Sequence, residues 1–400
     1  MIKDKRIVIG VTGGIAAYKV AELTRMLVKE GADLRVAMTR NATKFVGPLT
    51  FEALSGNRVV WDMFDPSTEP IGHISWGQET DLIIIAPATA NFIAKMAHGI
   101  ADDFLSSIML ASTAKILVCP AMNTRMYLNQ ATQENIRLIS ERGCTVMRPD
   151  EGELACRTEG PGRLPAPDEI AWLAGILLSD GDLKGLRIMV TAGPTQEPVD
   201  PVRYITNRSS GKMGYAVARA AALRGAAVTL ISGPVALTAP RAVETIQVRT
   251  AAEMRQAVLE RAEGSDVIIK AAAVSDYRPS ETAGQKIKKD DGTLTLNLVK
   301  NPDILAELGA SKKNPHCILV GFAAETEKLT GNAKEKLRRK NLDLIVANDV
   351  TRKDSGFEAD TNQVQIIYRD GRVEDLPLMP KDALADQILD RIVMLRKQAQ

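Results

Sequence analysis

The stretch DLIIIAPATAN, residues 81–91, decides the fold class. Residues 81–86 are an unbroken apolar run, the pattern of a strand buried on both faces of a parallel sheet. A turn of small residues follows. The pattern returns as DVIIKAAAVSD at residues 266–276, and KEGADLRVAMT at 29–39 is echoed by LRGAAVTLISG at 223–233. Around the first copy, strands are predicted at 6–11, 34–38 and 115–119. A helix at 15–30 is stopped by Gly31. Around the second, strands are predicted at 186–191, 227–232 and 266–271, with a helix at 213–224 ending at Gly225. Further strands are expected at 318–320, 344–347 and 364–368, and a last helix at 382–396. Such alternation predicts an α/β protein with two Rossmann-like domains, each a mostly parallel sheet flanked by helices.

Between them, 165–179 reads as a proline-started helix and 179–185 as a polar linker. The boundary is placed near Gly181, giving domains 1–180 and 181–400. Residues 150–163 lack either hydrophobic period and are expected to be a mobile loop. A formal net charge of +2 predicts no bulk affinity for nucleic acid or membrane. No apolar run approaches the ~20 residues of a membrane span. The start reads as a first strand, not a signal peptide. Cys119, Cys144, Cys156 and Cys317 form no Cys-x-x-Cys pair, which fits a cytoplasmic, reducing setting.

Ligands of open α/β sheets sit beyond the carboxyl ends of strands. In the first half, Gly13 and Gly14 open a helix: a phosphate site or a tight turn. Thr89 and Asn91 are cofactor contacts or helix caps. Asn123, after the next strand, suits a substrate carboxylate or amide, or an Asx-turn. His73 is a candidate proton-transfer group or a structural histidine. Cys156 is a proton donor on a closing loop or a surface thiol. In the second half, residues 201–214 (PVRYITNRSSGKMG) cluster small and polar residues before a helix, an anion loop or a solvated one. Asp276 follows a buried strand and faces a nucleotide or its metal. KIKK at 286–289 is a basic site or a hairpin edge. Lys336 and Lys340 share a helix face, for a triphosphate or for solvent.

GGIAAYK, GHI, APATAN, PAMNTRM and ELAC, in that order, resemble the flavin-dependent cysteine decarboxylases. The resemblance implies FMN held near Gly14, Ile15, Ala16, Thr39, Ala86, Ala88, Thr89 and Ser106. It implies His73 as base, Met122 and Asn123 as the substrate-binding pair, and Cys156 as the lid cysteine. Arg157 stands where the family pattern has glycine. The implied chemistry oxidises the substrate thiol to a thioaldehyde, which becomes the electron sink for CO2 loss. Hydride then returns while Cys156 supplies a proton.

TAGPT, DPVRYITNRSSGKMG, AAAVSDYRP, KIKK, KNPDIL, GFAAET and RRKNLDLIVAND resemble phosphopantothenate–cysteine ligase. Together the two sets cover nearly the whole chain in the order of the bacterial bifunctional coenzyme A biosynthesis family. The resemblance implies that CTP and Mg2+ convert the 4′-phosphopantothenate carboxylate to an acyl-cytidylate, which L-cysteine attacks. Asn207 is implied to hold that intermediate, Lys286 to turn it over, and Arg203 to contact the phosphopantothenate. The CTP pocket is implied at Lys270, Ala271, Ala272, Asp276, Lys286, Pro302, Asp303, Ile304, Leu305, Phe322, Lys336 and Lys340, with Asp276 as the metal contact. A homo-oligomer is expected, a dodecamer combining decarboxylase trimers with ligase dimers. A nicotinamide oxidoreductase is disfavoured by the absent G-x-G-x-x-G. A non-catalytic flavoprotein is disfavoured by His73, Asn123 and Cys156 occurring together.

Overall fold

The computed structural model describes residues 2–65, 70–153, 159–288, 293–311, 314, 316–325, 327–349 and 359–399. The chain divides into two compact units, Met1–Asp180 and Gly181–Gln400. The first contains a five-stranded sheet of β1 (Arg6–Val11), β2 (Asp33–Met38), β3 (Leu82–Ala88), β4 (Lys115–Pro120) and β5 (Thr145–Val146), in the order β2-β1-β3-β4-β5. All its pairings are parallel. Every residue of β3 is buried, as its unbroken apolar run requires. The helix Ala17–Lys29 buries Ala17, Val20, Leu23, Thr24 and Leu27, a single 3.6-residue face against this sheet. It starts two residues later than its hydrophobic period suggests, because Ile15 and Ala16 belong to the turn leaving β1.

Residues 150–163 depart from the expected loop. β6 (Asp150–Glu153) and β7 (Glu159–Arg163) form an antiparallel pair in which Gly152 faces Gly160. Both glycines hold φ near +140°, and a Cβ on Gly160 would come within 2.8 Å of Thr124 Cγ2. Glycine arms of this kind pair through backbone alone, so they carry no hydrophobic alternation to read. Cys156 and Arg157 lie outside the described residues.

The second unit is built on an eight-stranded sheet. Its strands in chain order are β8 (Arg187–Ala192), β11 (Ala227–Ser232), β12 (Val243–Gln247), β13 (Val267–Lys270), β16 (Ile318–Glu325), β17 (Leu344–Asp349), β18 (Thr361–Tyr368) and β19 (Val373–Pro380). The spatial order is β12-β11-β8-β13-β16-β17-β18-β19. It is parallel except for the last two pairings, where β17, β18 and β19 form an antiparallel meander. Two small antiparallel pairs join β9 (Gln196–Pro198) to β10 (Tyr204–Thr206), and β14 (Tyr277–Pro279) to β15 (Leu298–Lys300). Their three-residue strands are too short to show a period, and β12, partly exposed, shows none either.

The helix Lys212–Leu223 packs on β8 and β11 with one side and on the helix Lys381–Ala399 with the other. Its sequence, KMGYAVARAAAL, is small enough for both approaches. A Cβ on Gly214 would stand 2.5 Å from the Ala192 Cβ, so glycine there sets the helix-to-strand distance. Arg224, 6% exposed, ends this helix between Asp182 (2.5 Å) and Asp390 (2.8 Å). A buried guanidinium with both partners in place ties the unit's first residues to its last helix.

Candidate functional site

Each sheet changes direction beside its first strand, and each opens a cleft at the carboxyl ends there. In the first unit the switch lies between β1 and β3. Thr12, after β1, donates from Oγ1 to the Pro87 carbonyl at 2.6 Å and accepts from Thr89 N at 3.0 Å. Thr89 then caps the helix Ala90–His98, accepting from Phe92 N. These bonds lock the two loops together at the edge of a cleft of about 650 Å³.

Of the residues implied for FMN, Thr39 and Thr89 line that cleft. Thr39 Oγ1 is buried and has no hydrogen-bond partner among the described residues. Gly14, Ile15 and Ala16 continue the turn from Gly13, which lines the cleft. Ala86 and Ala88 are fully buried in β3. Ser106 is buried one step behind, in a reciprocal cap with Asp103 at the start of the helix Phe104–Ala111. The cleft wall also carries Asn41, Lys95, Asp102 and Asp103, which the sequence reading missed. Lys95 bonds Asp102 at 2.5 Å and Asp103 at 3.3 Å. Burial lowers its pKa, but the two carboxylates raise it more, so it is held charged. The signal was present as Asp103-x-x-Ser106, a capping pattern.

Met122 and Asn123 follow β4. Met122 N donates to the Gly162 carbonyl at 3.0 Å, so the β6–β7 pair flanking Cys156 is tied to this loop. Asn123 Oδ1 caps a short helix through Arg125 N at 2.9 Å. His73 sits half-buried on the helix Gly72–Glu79 and does not line the cleft of its own chain. Cys119 and Cys317 are buried and Cys144 is partly so. Burial pushes the Cys119 and Cys144 thiols up, away from reactivity.

In the second unit the switch lies between β8 and β13, over a cavity of about 350 Å³. It gathers Asn207, Lys270, Ala271, Ala272, Asp276, Pro302, Asp303, Ile304, Phe322, Lys336 and Lys340 from distant segments. Leu305 is buried in the core behind it. Asn207 Nδ2 donates to the Val274 carbonyl at 3.1 Å, pinning the loop before the helix to the turn after β13. Lys340 pairs with Asp303 at 2.8 Å, and Lys336 with Glu325 at 2.5 Å. Asp303 also accepts from Ala306 N as a helix cap. Burial raises its pKa, but the hydrogen bond from Lys340 and that cap lower it more. Lys270, at the end of β13, is pushed down to about 8 by burial and by the charge of Lys340.

Lys212, from the 201–214 stretch read as an anion loop or a solvated one, also lines the wall, together with Asn348, Asn362 and Lys381, which were not anticipated. Lys381 is 6% exposed, and burial with the nearby Lys212 charge lowers it to about 8. No motif marks it, because it arrives from the far end of the chain at the head of the last helix.

Lys286 and Arg203 lie off the cavity wall. Lys286 is exposed. Arg203 is engaged with Asp200 at 3.1 Å and donates to the Ile287 carbonyl, next to Lys286. Asp276 is exposed at the cavity rim. Among the described residues no group of three or more His, Cys, Asp or Glu side chains surrounds a metal position. A Mg2+ at Asp276 fits only if nucleotide oxygens and water supply its remaining ligands, the usual habit of that ion. No helix of the described residues is long and apolar enough to cross a membrane.

Residues 1–174 match the family model described as Flavoprotein, and residues 183–395 match DNA/pantothenate metabolism flavoprotein C-terminal domain. The class is therefore a flavoprotein unit joined to a pantothenate-metabolism unit. The Coenzyme A biosynthesis bifunctional protein CoaBC of Bacillus subtilis (strain 168) is 48% identical over 403 residues, covering 100% of this chain and 99% of that one. The protein of the same name from Escherichia coli (strain K12) is 49% identical over 397 residues, covering 98% and 97%. A solved structure, the C-terminal domain of a Coenzyme A biosynthesis bifunctional protein CoaBC, is 42% identical, covers 55% of this chain and 100% of its own, and has a TM-score of 0.48. The chain belongs to the family of bifunctional coenzyme A biosynthesis enzymes.

Proposed function

We propose that residues 181–400 join L-cysteine to 4′-phosphopantothenate at the expense of CTP, and that residues 1–180 decarboxylate the resulting 4′-phosphopantothenoylcysteine to 4′-phosphopantetheine. One observation carries this division. The second cleft sets five lysines, Lys212, Lys270, Lys336, Lys340 and Lys381, against Asp276 and Asp303, whereas the first sets Arg40 and Lys95 against Asp62, Asp102 and Asp103 among hydroxyls, amides and apolar side chains. A polyphosphate needs the former.

In the ligase unit the carboxylate of phosphopantothenate is a poor electrophile until it carries a good leaving group, and transfer to CMP supplies one. The lysines offset the phosphate charge during that transfer, Lys270 among them, whose pKa of about 8 rises again as an anion arrives beside it. Asn207 holds the acyl-cytidylate, Lys286 promotes its turnover, and Arg203 serves the phosphopantothenate side. Asp276 would supply a protein carboxylate to Mg2+.

In the decarboxylase unit, FMN supplies reversible two-electron oxidation of the substrate thiol. Thr39 and Thr89 hold it at the switch point, and the locked Thr12–Thr89 loops keep that wall rigid. Asn123 and Met122 orient the substrate, His73 accepts a proton and Cys156 returns one. Ile15 and Tyr18, each 60% exposed, and Leu49, 74% exposed, are large apolar side chains that a second copy of the chain would cover. We read the enzyme as a homo-oligomer, a dodecamer by the combination of trimeric and dimeric contacts.

Supplied with phosphopantothenate, cysteine and CTP, the purified chain is expected to release pyrophosphate, CO2 and phosphopantetheine. Asn207→Asp is expected to stop ligation while supplied phosphopantothenoylcysteine is still decarboxylated. Loss of both activities without unfolding refutes the division of labour.

A further inference from the structure

We propose that Asp200 is a positioning residue for Lys286: its buried carboxylate, with Arg203, clamps both backbone groups of Ile287 and so fixes the lysine relative to the loop that carries Asn207. The proposal rests on the ligase reading above.

Asp200 lies in the turn between β9 and β10, and its side chain has no exposed surface. Oδ1 accepts from Val202 N and Arg203 N, both at 2.8 Å, which completes an Asx-type turn. That turn needs only one oxygen. The other, Oδ2, accepts from Ile287 N at 3.2 Å and pairs with Arg203 Nε at 3.1 Å. Arg203 Nη2 donates to the Ile287 carbonyl. The residue after Lys286 is thus held by its N–H and its C=O, from two side chains of one hairpin turn.

The same hairpin reaches both candidate groups. On one side, Thr282 Oγ1 donates to the Pro198 carbonyl at 3.1 Å and Ala283 N to the Val199 carbonyl at 3.0 Å, laying the segment before Lys286 along it. On the other, β10 ends at Thr206, whose Oγ1 donates to the Thr195 carbonyl at 2.8 Å, and Asn207 follows. Burying a carboxylate is costly unless each oxygen is satisfied. Burial does raise the Asp200 pKa, but the N–H groups of Val202, Arg203 and Ile287 and the Arg203 charge lower it more. One of its four contacts, Ile287 N, belongs to a segment 87 residues away in sequence, which a turn alone does not require. Lys286 is exposed and off the cavity wall, so its reach to an acyl-cytidylate depends on where its backbone is held.

Asp200→Asn is a sharp test because it keeps Oδ1 for the turn while setting an NH2 against the two donors, Ile287 N and Arg203 Nε. In the full chain, kcat for CTP-dependent ligation is expected to fall on the order of 10- to 100-fold. KM for CTP is expected to stay near wild type, since no cavity-lining residue has changed. Lys286→Gln and the double variant are measured beside it. If Asp200 acts through Lys286, the double variant is no slower than Lys286→Gln alone. Ile287→Pro, which deletes the clamped N–H without touching Asp200, is expected to give the same kcat loss and the same non-additivity. Multiplying losses, a raised KM for CTP with intact kcat, or no change in Asp200→Asn would each overturn the proposal. Cooperative melting of the second unit in both variants separates misplacement from unfolding. A wild-type chain without CTP-dependent ligation would sink the ligase reading itself, and this proposal with it, before any variant is compared.

Discussion

In the first unit, Arg6 N donates to Asp81 Oδ2 and Asp81 N to the Arg6 carbonyl, both at 2.8 Å. In the second, Arg187 N donates to Asp266 Oδ2 and Asp266 N to the Arg187 carbonyl, again both at 2.8 Å. The entry into the central strand is therefore the same in both units. At the carboxyl end the units diverge. Ile85 in DLIIIA is fully buried and faces Gly10, where a Cβ would come within 2.6 Å of Ile85 Cδ1. Lys270 in DVIIKA occupies the matching place and reaches the cavity beside Asp303 and Lys340. The strand order differs as well, with one strand beyond β1 and two beyond β8. The comparison teaches that the amino end of such a strand is used for closure and the carboxyl end for ligand choice.

Exchanging the divergent residue breaks the comparison most severely. Ile85→Lys puts an ammonium group into an apolar layer and is expected to cost about 4 kcal/mol or more. Loss of the first unit's cooperative unfolding transition in calorimetry checks it; retained melting would mean the site has access to water.

The reverse exchange acts on function. Lys270→Ile is expected to leave the fold intact while CTP-dependent ligation falls roughly 10- to 100-fold, the loss of one buried charge contact to phosphate. It also changes the pH profile. With Lys270 near 8 in the folded chain and 10.5 as its ordinary value, the unfolded chain binds more protons between those limits. Ligand-free stability therefore rises with pH from about 8 upward. Chemical denaturation from about pH 8 to about pH 10 is expected to show a shallower slope in the variant. An unchanged slope would assign the effect to Lys381, whose pKa is also near 8.

The smallest effect tests the shared end. Asp81→Asn and Asp266→Asn are each expected to cost about 1–2 kcal/mol, and by similar amounts, since each replaces the same charge-assisted acceptor. Unequal losses in urea unfolding would show that the matching bonds carry different loads.

Much of the fold was legible because burial on both faces leaves a run, and runs at 81–86 and 266–271 stand out from any window. The candidate residues at strand ends were legible for the same reason: Thr89, Asn123 and Asp276 each follow a recognised strand. The β6–β7 pair was not legible, since Gly152 and Gly160 pair without side chains. Lys381 and Asp200 were not legible either, because their meaning comes from partners far away in the chain.

Sequence by itself determined two α/β layers, their boundary near Gly181 and the family motifs at their strand ends, because hydrophobic period and local turn chemistry act over neighbouring residues. Tertiary structure alone decided that Lys212, Lys270 and Lys381 share one wall, and that Arg203 is turned toward Asp200 and Ile287. Those relations depend on how the sheet brings distant segments within a few ångströms, where burial and charge set pKa and position, and no local pattern encodes that proximity.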